Sequence, residues 1–203
     1  MFGIIRLIIG CVILIYSSMV IKKSKMTCKW VFYAIFATIS MVLVVVLSLI
    51  PFENAFVTFD SPKAAYEYVL GRSNIKLIVE GNNSDLVIDR NNDTDRYMIL
   101  PKSADGWKIG IGVNTKKVVQ KISDGIIVYV YQYKNTNDYF ITIFDCNGGE
   151  AQISADFDTV FYALENEDHF SGKKYVTYYA YIPDFQSKYS VVVNGNKIVL
   201  QSS

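Results

Sequence analysis

The chain has 203 residues, with 20 basic and 19 acidic side chains, three cysteines and one histidine. The near-neutral total averages two different segments, because residues 1–51 contain five basic residues and no acidic one. The other 15 basic and all 19 acidic residues lie in 52–203, whose net charge is therefore −4. A mildly acidic segment without a basic stripe argues against nucleic-acid binding, and three cysteines argue against a disulfide-built scaffold.

Two apolar runs near the amino terminus predict two transmembrane helices. Gly3–Ile21 has 19 residues with one charge, Arg6, and Trp30–Ile50 has 21 residues with none. At 1.5 Å per residue they reach about 28 and 31 Å, which matches a hydrocarbon core of about 30 Å. We expect Arg6 to extend its side chain to the membrane interface. The IIGC segment (8–11) is similar to a lipoprotein cleavage site, but the apolar run continues beyond its cysteine, which favours an uncleaved span.

The short loop between the two runs, residues 22–29, predicts the orientation of the chain. It contains Lys22, Lys23, Lys25 and Lys29. Lysines in short loops are retained in the cytoplasm, and moving each one outward costs about 2.3 kcal/mol per 100 mV of inside-negative potential. We therefore predict a two-pass protein of the cell membrane whose loop is cytoplasmic. Its amino terminus and its carboxy-terminal domain would both lie outside.

After this hairpin of residues 1–51, we predict a short linker at 52–60 and an extracytoplasmic domain at 61–203. The linker is aromatic and has no Gly or Ser, so we expect the domain to lie close to the bilayer. The segment DSPKAAYEYVLG has helix signals at both ends. Ser61 can cap the helix, Pro62 suits its first turn, and the final glycine suits its end.

From residue 75 onward, apolar residues follow a period of two, which predicts about nine or ten short strands. Asp124-Gly125 and Asn194-Gly195 are the strongest signals for hairpin turns. The predicted fold class is a membrane-anchored chain with two transmembrane helices, then a mainly antiparallel β (α+β) domain with one short helix. The candidate strand segments are 75–80, 85–90, 97–101, 107–113, 117–122, 126–133, 139–144, 151–157, 175–182, 190–193 and 196–200.

Three segments, FDSPKAAYEYV, IVEGNNSDLVI and ILPKSADGWKI, resemble uncharacterised membrane-anchored extracytoplasmic proteins of Gram-positive bacteria. In those proteins an apolar amino terminus is followed by a helix that starts with Ser-Pro. After this helix come strands that include a Leu-Val-Ile segment. The resemblance covers about residues 59–110. It implies an extracytoplasmic domain without an assigned activity, and it supplies no site residues.

The polar segment DRNNDTDR (89–96) is the best candidate for metal binding. Asp89, Asn91 and Asp93 occupy the first, third and fifth positions of a calcium loop. The sixth and twelfth positions lack the required Gly and Glu, so a solvated loop is the better interpretation. The DCNGGE segment (145–150) spaces its acids around a glycine turn. We predict no metal site.

Catalytic signals are weak throughout the sequence. The one histidine, His169, and Cys146 would be the candidates for a nucleophile pair, in which the histidine draws the proton from the thiol. The residues around them do not support that role, and no Gly-rich phosphate loop precedes a helix. We predict no catalytic or cofactor-binding residues, no cofactor, and no enzymatic activity.

Tyrosines alternate along two predicted strands: Tyr129, Tyr131 and Tyr133 in one, and Tyr175, Tyr179 and Tyr181 in the other. Alternation places each set on one face of a sheet. Aromatic rings give a large contact area with a polar handle, so we predict a binding face made by the first set with Tyr179 and Tyr181. The alternative is that aromatic residues are favoured in strands and pair across them.

The sequence therefore predicts a non-enzymatic, membrane-anchored protein that displays a β-rich domain for binding or sensing in the bacterial cell envelope. Its predicted partners are the lipid bilayer and an envelope glycan, peptide or membrane protein, and not nucleic acid. The alternative is an accessory or structural subunit of a larger membrane complex, since Ala34 and Thr38 permit close helix approach. An extracytoplasmic hydrolase is the third hypothesis.

Overall fold

The computed structural model describes residues 2–23, 28–91, 94–110, 115–134, 136–146, 148, 150–167, 174–183, 185 and 189–201. Within these residues the helices are α1 (Phe2–Lys23), α2 (Lys29–Leu49) and α3 (Pro62–Leu70), with 3₁₀ helices at Phe52–Ala55 and Asp156–Asp158. The strands are β1 (Ile75–Glu80), β2 (Ser84–Asn91), β3 (Thr94–Ser103), β4 (Gly106–Trp107), β5 (Thr115–Ser123), β6 (Ile126–Tyr133), β7 (Tyr139–Asp145), β8 (Ile153–Ala155), β9 (Tyr162–Glu167), β10 (Lys174–Ile182), β11 (Tyr189–Val193) and β12 (Asn196–Leu200).

Helices α1 and α2 pack against each other as an antiparallel hairpin. They contain Ile5–Lys23 and Lys29–Leu47, which are long and apolar enough to cross a membrane. Only 22% and 6% of these two apolar stretches are buried within the chain. A core helix of a soluble protein, in contrast, buries most of its apolar side chains. The helices approach closely at Gly10, where an added Cβ would lie 2.7 Å from a methyl carbon of Val44. The two predicted apolar helices are confirmed.

Helix α3 forms where the capping signals predict it. The Ser61 hydroxyl accepts a hydrogen bond from the backbone N–H of Ala64 at 3.1 Å, and Pro62 opens the first turn. Gly71 ends the helix with a φ of +82°, a conformation that favours glycine. Ala65 and Tyr66 are fully buried, so this face attaches the helix to the β domain.

The strands form three sheets, and their antiparallel pairing confirms the predicted mainly antiparallel domain. The first sheet has the order β1-β2-β3-β4, the five-stranded sheet β5-β6-β7-β10-β9, and the third sheet β12-β11-β8. The β5–β6 and β11–β12 hairpins turn at Asp124-Gly125 and Asn194-Gly195, where all four residues have positive φ. These are the turns that the sequence marks most strongly.

The five-stranded sheet lies between the other two sheets. One of its faces packs on the third sheet through an aliphatic core that includes Val128, Ile141 and Val191. Its other face packs on the first sheet, where Phe140 and Tyr179 meet the aliphatic side chains of β1–β3. Helix α3 covers the far side of the first sheet. The domain is thus a stack of layers with the aromatic strands near its middle.

The structure also corrects the predicted strands. Among its described residues, segment 107–113 contributes only Trp107 to a strand, β4, and 151–157 holds a three-residue strand followed by a 3₁₀ helix. Strand β9 was not predicted, because its sequence YALENE has few apolar residues and places the polar Asn166 at a buried position. It pairs with β10 at an edge of the five-stranded sheet, and an edge strand tolerates polar side chains because one side stays in water.

Candidate functional site

The predicted tyrosine face lies on the side of the five-stranded sheet that meets the first sheet. In the strand register, Thr142 of β7 has Tyr129 on one side and Tyr179 on the other. The next position of β7 on that face, Phe140, has Tyr131 and Tyr181 as its neighbours. The two tyrosine sets, predicted separately, thus lie on one face and flank the same central strand.

Much of this face is covered by the first sheet. Tyr179 is only 3% exposed and packs with Phe140 against Leu86 and Ile99. Tyr131, Tyr133 and Tyr181 are partly buried against the same cluster. The tyrosines are therefore not an open platform, and a ligand can reach them only where the two sheets separate.

Such an opening exists at one end of the interface, as a cavity of about 290 Å³. We call it the tyrosine cleft. Its lining residues come from β3, β6, β7 and β10, and they are Asp95, Tyr97, Tyr131, Thr142, Phe144, Tyr175 and Tyr179.

Neighbouring aromatic rings make up one wall of the cleft. The ring centroids of Tyr97 and Tyr131 are 5.0 Å apart, so a tyrosine of the first sheet contacts one of the five-stranded sheet. Tyr129 lies beside the cleft, 6.0 Å from Tyr131 and 5.9 Å from Phe144 in an edge-on contact. These separations fall within the range of favourable aromatic pairs, about 4.5–7 Å. The rings therefore hold one another in place.

The polar groups around the cleft are paired with one another. Asp95 accepts a hydrogen bond from Nε of Arg90 at 2.9 Å, and Arg90 also contacts the Asn166 side chain. The Asp95 carboxylate also interacts electrostatically with the Tyr179 hydroxyl. Burial, and then the charge of Asp95, raises the pKa of Tyr179 above its ordinary value, while burial and a hydrogen bond with Tyr97 raise the pKa of Tyr131. Both tyrosines are therefore neutral at physiological pH.

Of the five tyrosines in the predicted face, Tyr131 and Tyr179 line the cleft and Tyr129 lies next to it. Tyr133 and Tyr181 lie on the same face but do not line the cleft. The Tyr181 hydroxyl instead donates to the buried carboxylate of Asp138 at 2.9 Å. It is part of the contact that joins the two sheets.

Sequence reasoning omitted five lining residues from the predicted face: Asp95, Tyr97, Thr142, Phe144 and Tyr175. Tyr175 belongs to the alternating run of β10, so the period-two signal was sufficient to include it. Asp95 and Tyr97 come from β3, and nothing in the sequence shows which strand of one sheet faces which strand of another.

The predicted absence of a calcium loop concerns residues that the structure describes in part, since Asp93 lies outside the described residues. Asp89 belongs to strand β2 and is fully buried. Burial alone would raise its pKa, but hydrogen bonds from Arg96, at 2.5 Å, and from the backbone N–H of Asn74 hold the pKa of Asp89 below its usual value. A carboxylate bound in this way is a structural ion-pair partner.

The remaining chemical candidates do not converge. Asp145 accepts a hydrogen bond from the side chain of Asn194 at 3.1 Å, and Glu150 is exposed. Cys146 is exposed, and His169 lies outside the described residues. Among the described residues, no three His, Cys, Asp or Glu side chains cluster as metal ligands would.

The hairpin joins the domain through the 3₁₀ helix Phe52–Ala55, and we call this contact the junction. The Arg6 guanidinium forms two hydrogen bonds with the Glu53 carboxylate, at 2.5 and 2.9 Å, and donates from Nε to the Leu47 carbonyl at 2.6 Å. The two charged side chains are 2% and 5% exposed. The Arg6 side chain thus reaches Glu53, just past the carboxy-terminal end of α2, and its extension to the membrane interface stays a prediction.

The next residue of the same 3₁₀ helix, Asn54, forms hydrogen bonds with the β domain. The Asn54 side chain donates to the Ile109 carbonyl at 2.9 Å and accepts from the Ile109 N–H at 2.7 Å. The Lys108 ammonium adds a hydrogen bond to the Thr58 hydroxyl at 2.7 Å. Consecutive residues thus tie one element to both the hairpin and the domain.

At the opposite end of the hairpin, Lys22, Lys23 and Lys29 are exposed, and Lys25 lies outside the described residues. No protein-family model, curated protein or solved structure matches the chain. The resemblance to Gram-positive extracytoplasmic proteins stays a prediction, and the function has to be argued from the site.

Proposed function

We propose that the chain is a non-enzymatic bacterial membrane protein that holds a β-rich binding domain at the outer surface of the cell. The tyrosine cleft carries this proposal, because an aromatic cavity between two sheets is a typical site for a ligand group. The apolar, outward-facing helices supply the membrane anchor.

The exposed lysines at the loop end of the hairpin support the proposed orientation. Lys22, Lys23 and Lys29 would have to cross the membrane if the loop faced outward. At the other end, Arg6 is buried against Glu53 and needs no contact with the cytoplasm. The cytoplasmic position of the loop then puts the β domain and its cleft outside.

The orientation can be tested with two single-cysteine chains. One retains Cys146 (Cys11→Ser with Cys28→Ser), and the other retains Cys28 (Cys11→Ser with Cys146→Ser); both retained thiols are exposed. On intact cells, a membrane-impermeant maleimide should label the first chain, and should label the second only after lysis. The opposite labelling pattern would show that the orientation is the reverse of the one proposed. Recovery of both chains in the soluble fraction would show that the helices do not anchor the chain in a membrane.

Binding can be tested with matched tyrosine variants of the full chain in maltoside detergent. Tyr97→Ala removes a ring from the cleft, whereas Tyr162→Ala removes a tyrosine of similar exposure, 45% against 49%, from edge strand β9. Ligand-detected NMR would use a chitin-type oligosaccharide, a tripeptide and tetramethylammonium as probes. We expect at least one probe to bind, and Tyr97→Ala alone to weaken it. If no probe binds, or if the variants behave alike, the proposed binding function is wrong.

A further inference from the structure

We propose that the tyrosine cleft binds a compact organic cation, with a methylated ammonium group as the preferred ligand chemistry. This inference rests on the proposed binding function and names the class of ligand. It follows from the ring content, the charge and the size of the cleft.

The attraction for a cation comes first from the rings. Five of the seven lining residues are aromatic, and the face of an aromatic ring attracts a cation within about 6 Å of its centroid. Tyr131, for example, has neighbouring rings at 5.0 and 6.0 Å, so a group in the cleft meets several rings at once. Aromatic cages of this kind suit quaternary ammonium groups, which have no N–H groups to satisfy.

Charge points the same way. Of the described residues that line the cleft, Asp95 alone is charged. Arg90 pairs with Asp95 but does not line the cleft, so the ligand meets the carboxylate and not the guanidinium. An anionic ligand would find no basic side chain among the described lining residues, and the Asp95 carboxylate would repel it.

The tyrosine hydroxyls leave the ring faces as the main contact surface. The hydroxyls of Tyr131 and Tyr179 interact with polar groups of the chain itself, those of Tyr97 and Asp95 respectively. A sugar ring needs several donors and acceptors for its own hydroxyls, and these interactions within the chain reduce what the cleft offers. A methylated ammonium needs only the rings and one negative charge.

An ammonium group already contacts the same ring cluster. The Lys117 ammonium lies 5.3 Å from the ring centroid of Tyr129, which contacts both Tyr131 and Phe144. Lys117 also donates to the Gln120 side chain at 2.6 Å, so the ring holds a cation that has a polar partner as well. The chain therefore already has, at Tyr129 beside the cleft, the contact between a cation and an aromatic ring that we propose for the cleft.

The volume limits the size of the ligand group. About 290 Å³ is at the lower end of small-molecule sites, which span about 300–1,000 Å³. The cleft holds a compact group, and a longer oligosaccharide or peptide would remain mostly outside it. A trimethylammonium group is compact and roughly spherical.

The test compares two probes that differ in charge and hardly in shape. Binding of choline to the full chain in maltoside detergent is measured by calorimetry, beside its neutral isostere, in which a tert-butyl group replaces trimethylammonium. We expect choline to bind about tenfold more tightly, and this preference to fall to about twofold in Asp95→Asn. Because Asp95→Asn also alters the Arg90 pair, Tyr97→Ala is measured too; it should weaken choline several-fold, while Tyr162→Ala does not.

The outcomes separate this inference from the proposed function. Equal binding of choline and its isostere would show that the cleft does not prefer a cation, and so would binding of the oligosaccharide or tripeptide alone. Either result would overturn this inference and leave the proposed binding function in place. Failure of every probe would remove the proposed function as well. Tighter binding of choline that Tyr97→Ala does not weaken would place the cation elsewhere and overturn the inference.

A lipid headgroup and a soluble cation share this chemistry, and reconstitution distinguishes them. Choline binding would be compared in nanodiscs of phosphatidylglycerol alone and of phosphatidylglycerol with phosphatidylcholine. Weaker binding in the mixed nanodisc supports a headgroup that reaches the cleft, and equal binding supports a soluble cation. Loss of choline binding in both nanodiscs would show that the detergent result was not a property of the membrane-embedded chain, and would overturn the inference.

Discussion

The two faces of the five-stranded sheet are built from the same strands but have different chemistry. In β6, Val128 and Val130 point to the aliphatic core shared with the third sheet, while Tyr129 and Tyr131 point to the first sheet. In β7, Ile141 and the neighbouring Thr142 divide in the same way. One face is sealed by close packing, and the other is aromatic, partly polar and open at one end.

The difference assigns stability to one face of the sheet and the proposed binding to the other. Aliphatic side chains can be packed without unsatisfied polar groups, so the third sheet closes completely over its face. Tyrosines and carboxylates need partners, and the first sheet is held to its face by specific hydrogen bonds to Asp138 and from Arg90 to Asn166. An interface of that kind can stay open at one end.

The largest expected effect is on the sealed face. Ile141→Ala should lower the free energy of unfolding by about 4 kcal/mol, because it leaves a cavity at a fully buried position. Tyr97→Ala, at the half-exposed cleft, should cost less than about 1 kcal/mol. Urea unfolding of the full chain in detergent, in a Trp30→Phe background, would use the fluorescence of Trp107, which lies in the β domain. Equal costs would contradict the division between the faces.

A smaller effect is expected where hydrogen bonds join the two sheets. The Asp138 carboxylate accepts from the Asn83 N–H at 2.6 Å, the Ser84 hydroxyl at 2.8 Å and the Tyr181 hydroxyl at 2.9 Å. Asp138→Ala leaves these donors unsatisfied and should cost about 3 kcal/mol by the same measurement. Asp138→Asn retains one acceptor oxygen and is the matched control, with a loss of about 1 kcal/mol. If Asp138→Ala left the free energy of unfolding unchanged, packing alone would join the two sheets.

The smallest effect is a dependence on alkaline pH that belongs to the aromatic face. Burial and the hydrogen bond to Asp138 raise the pKa of Tyr181 to about 12. The unfolded chain loses this proton near pH 10, so the stabilisation is complete below pH 10 and is lost as the pH rises to about 12. Tyr181→Phe should make the decline in stability between these pH values shallower, whereas Tyr162→Phe should leave it unchanged. An identical slope in all three chains would refute this assignment.

Local signals in the sequence predicted the elements of this fold well. The apolar runs, the cap at Ser61, and the two Gly turns each depend on residues close in sequence, and the structure confirms them. Strand β9 was missed because Asn166, at its buried position, is polar and hydrogen-bonds Thr177 and Arg90, so its sequence carries no clear apolar alternation. Local patterning is informative only where one face of a strand must be buried.

The site was harder to predict than the fold, because it depends on contacts between distant residues. Period two placed Tyr131 and Tyr179 on one face, but only the packing of two sheets brings Tyr97 against them. Arg6 and Glu53 are separated by 47 positions, so the pairing of the buried arginine was equally hidden. Charge, aromatic content and period identify the participants, and the fold decides which of them meet.

The junction has a consequence for how far the domain can reach. Glu53 and Asn54 fix one short element to the hairpin and to the domain at once, so the linker provides no swivel between them. For a chain anchored as proposed, the cleft would travel with the hairpin at one height above the bilayer and search in two dimensions. Its effective concentration would then be high for molecules held at the same height and low for those farther out. The 3₁₀ helix Phe52–Ala55 would set the height of the cleft above the bilayer. Ligands would then be selected by their distance from the membrane.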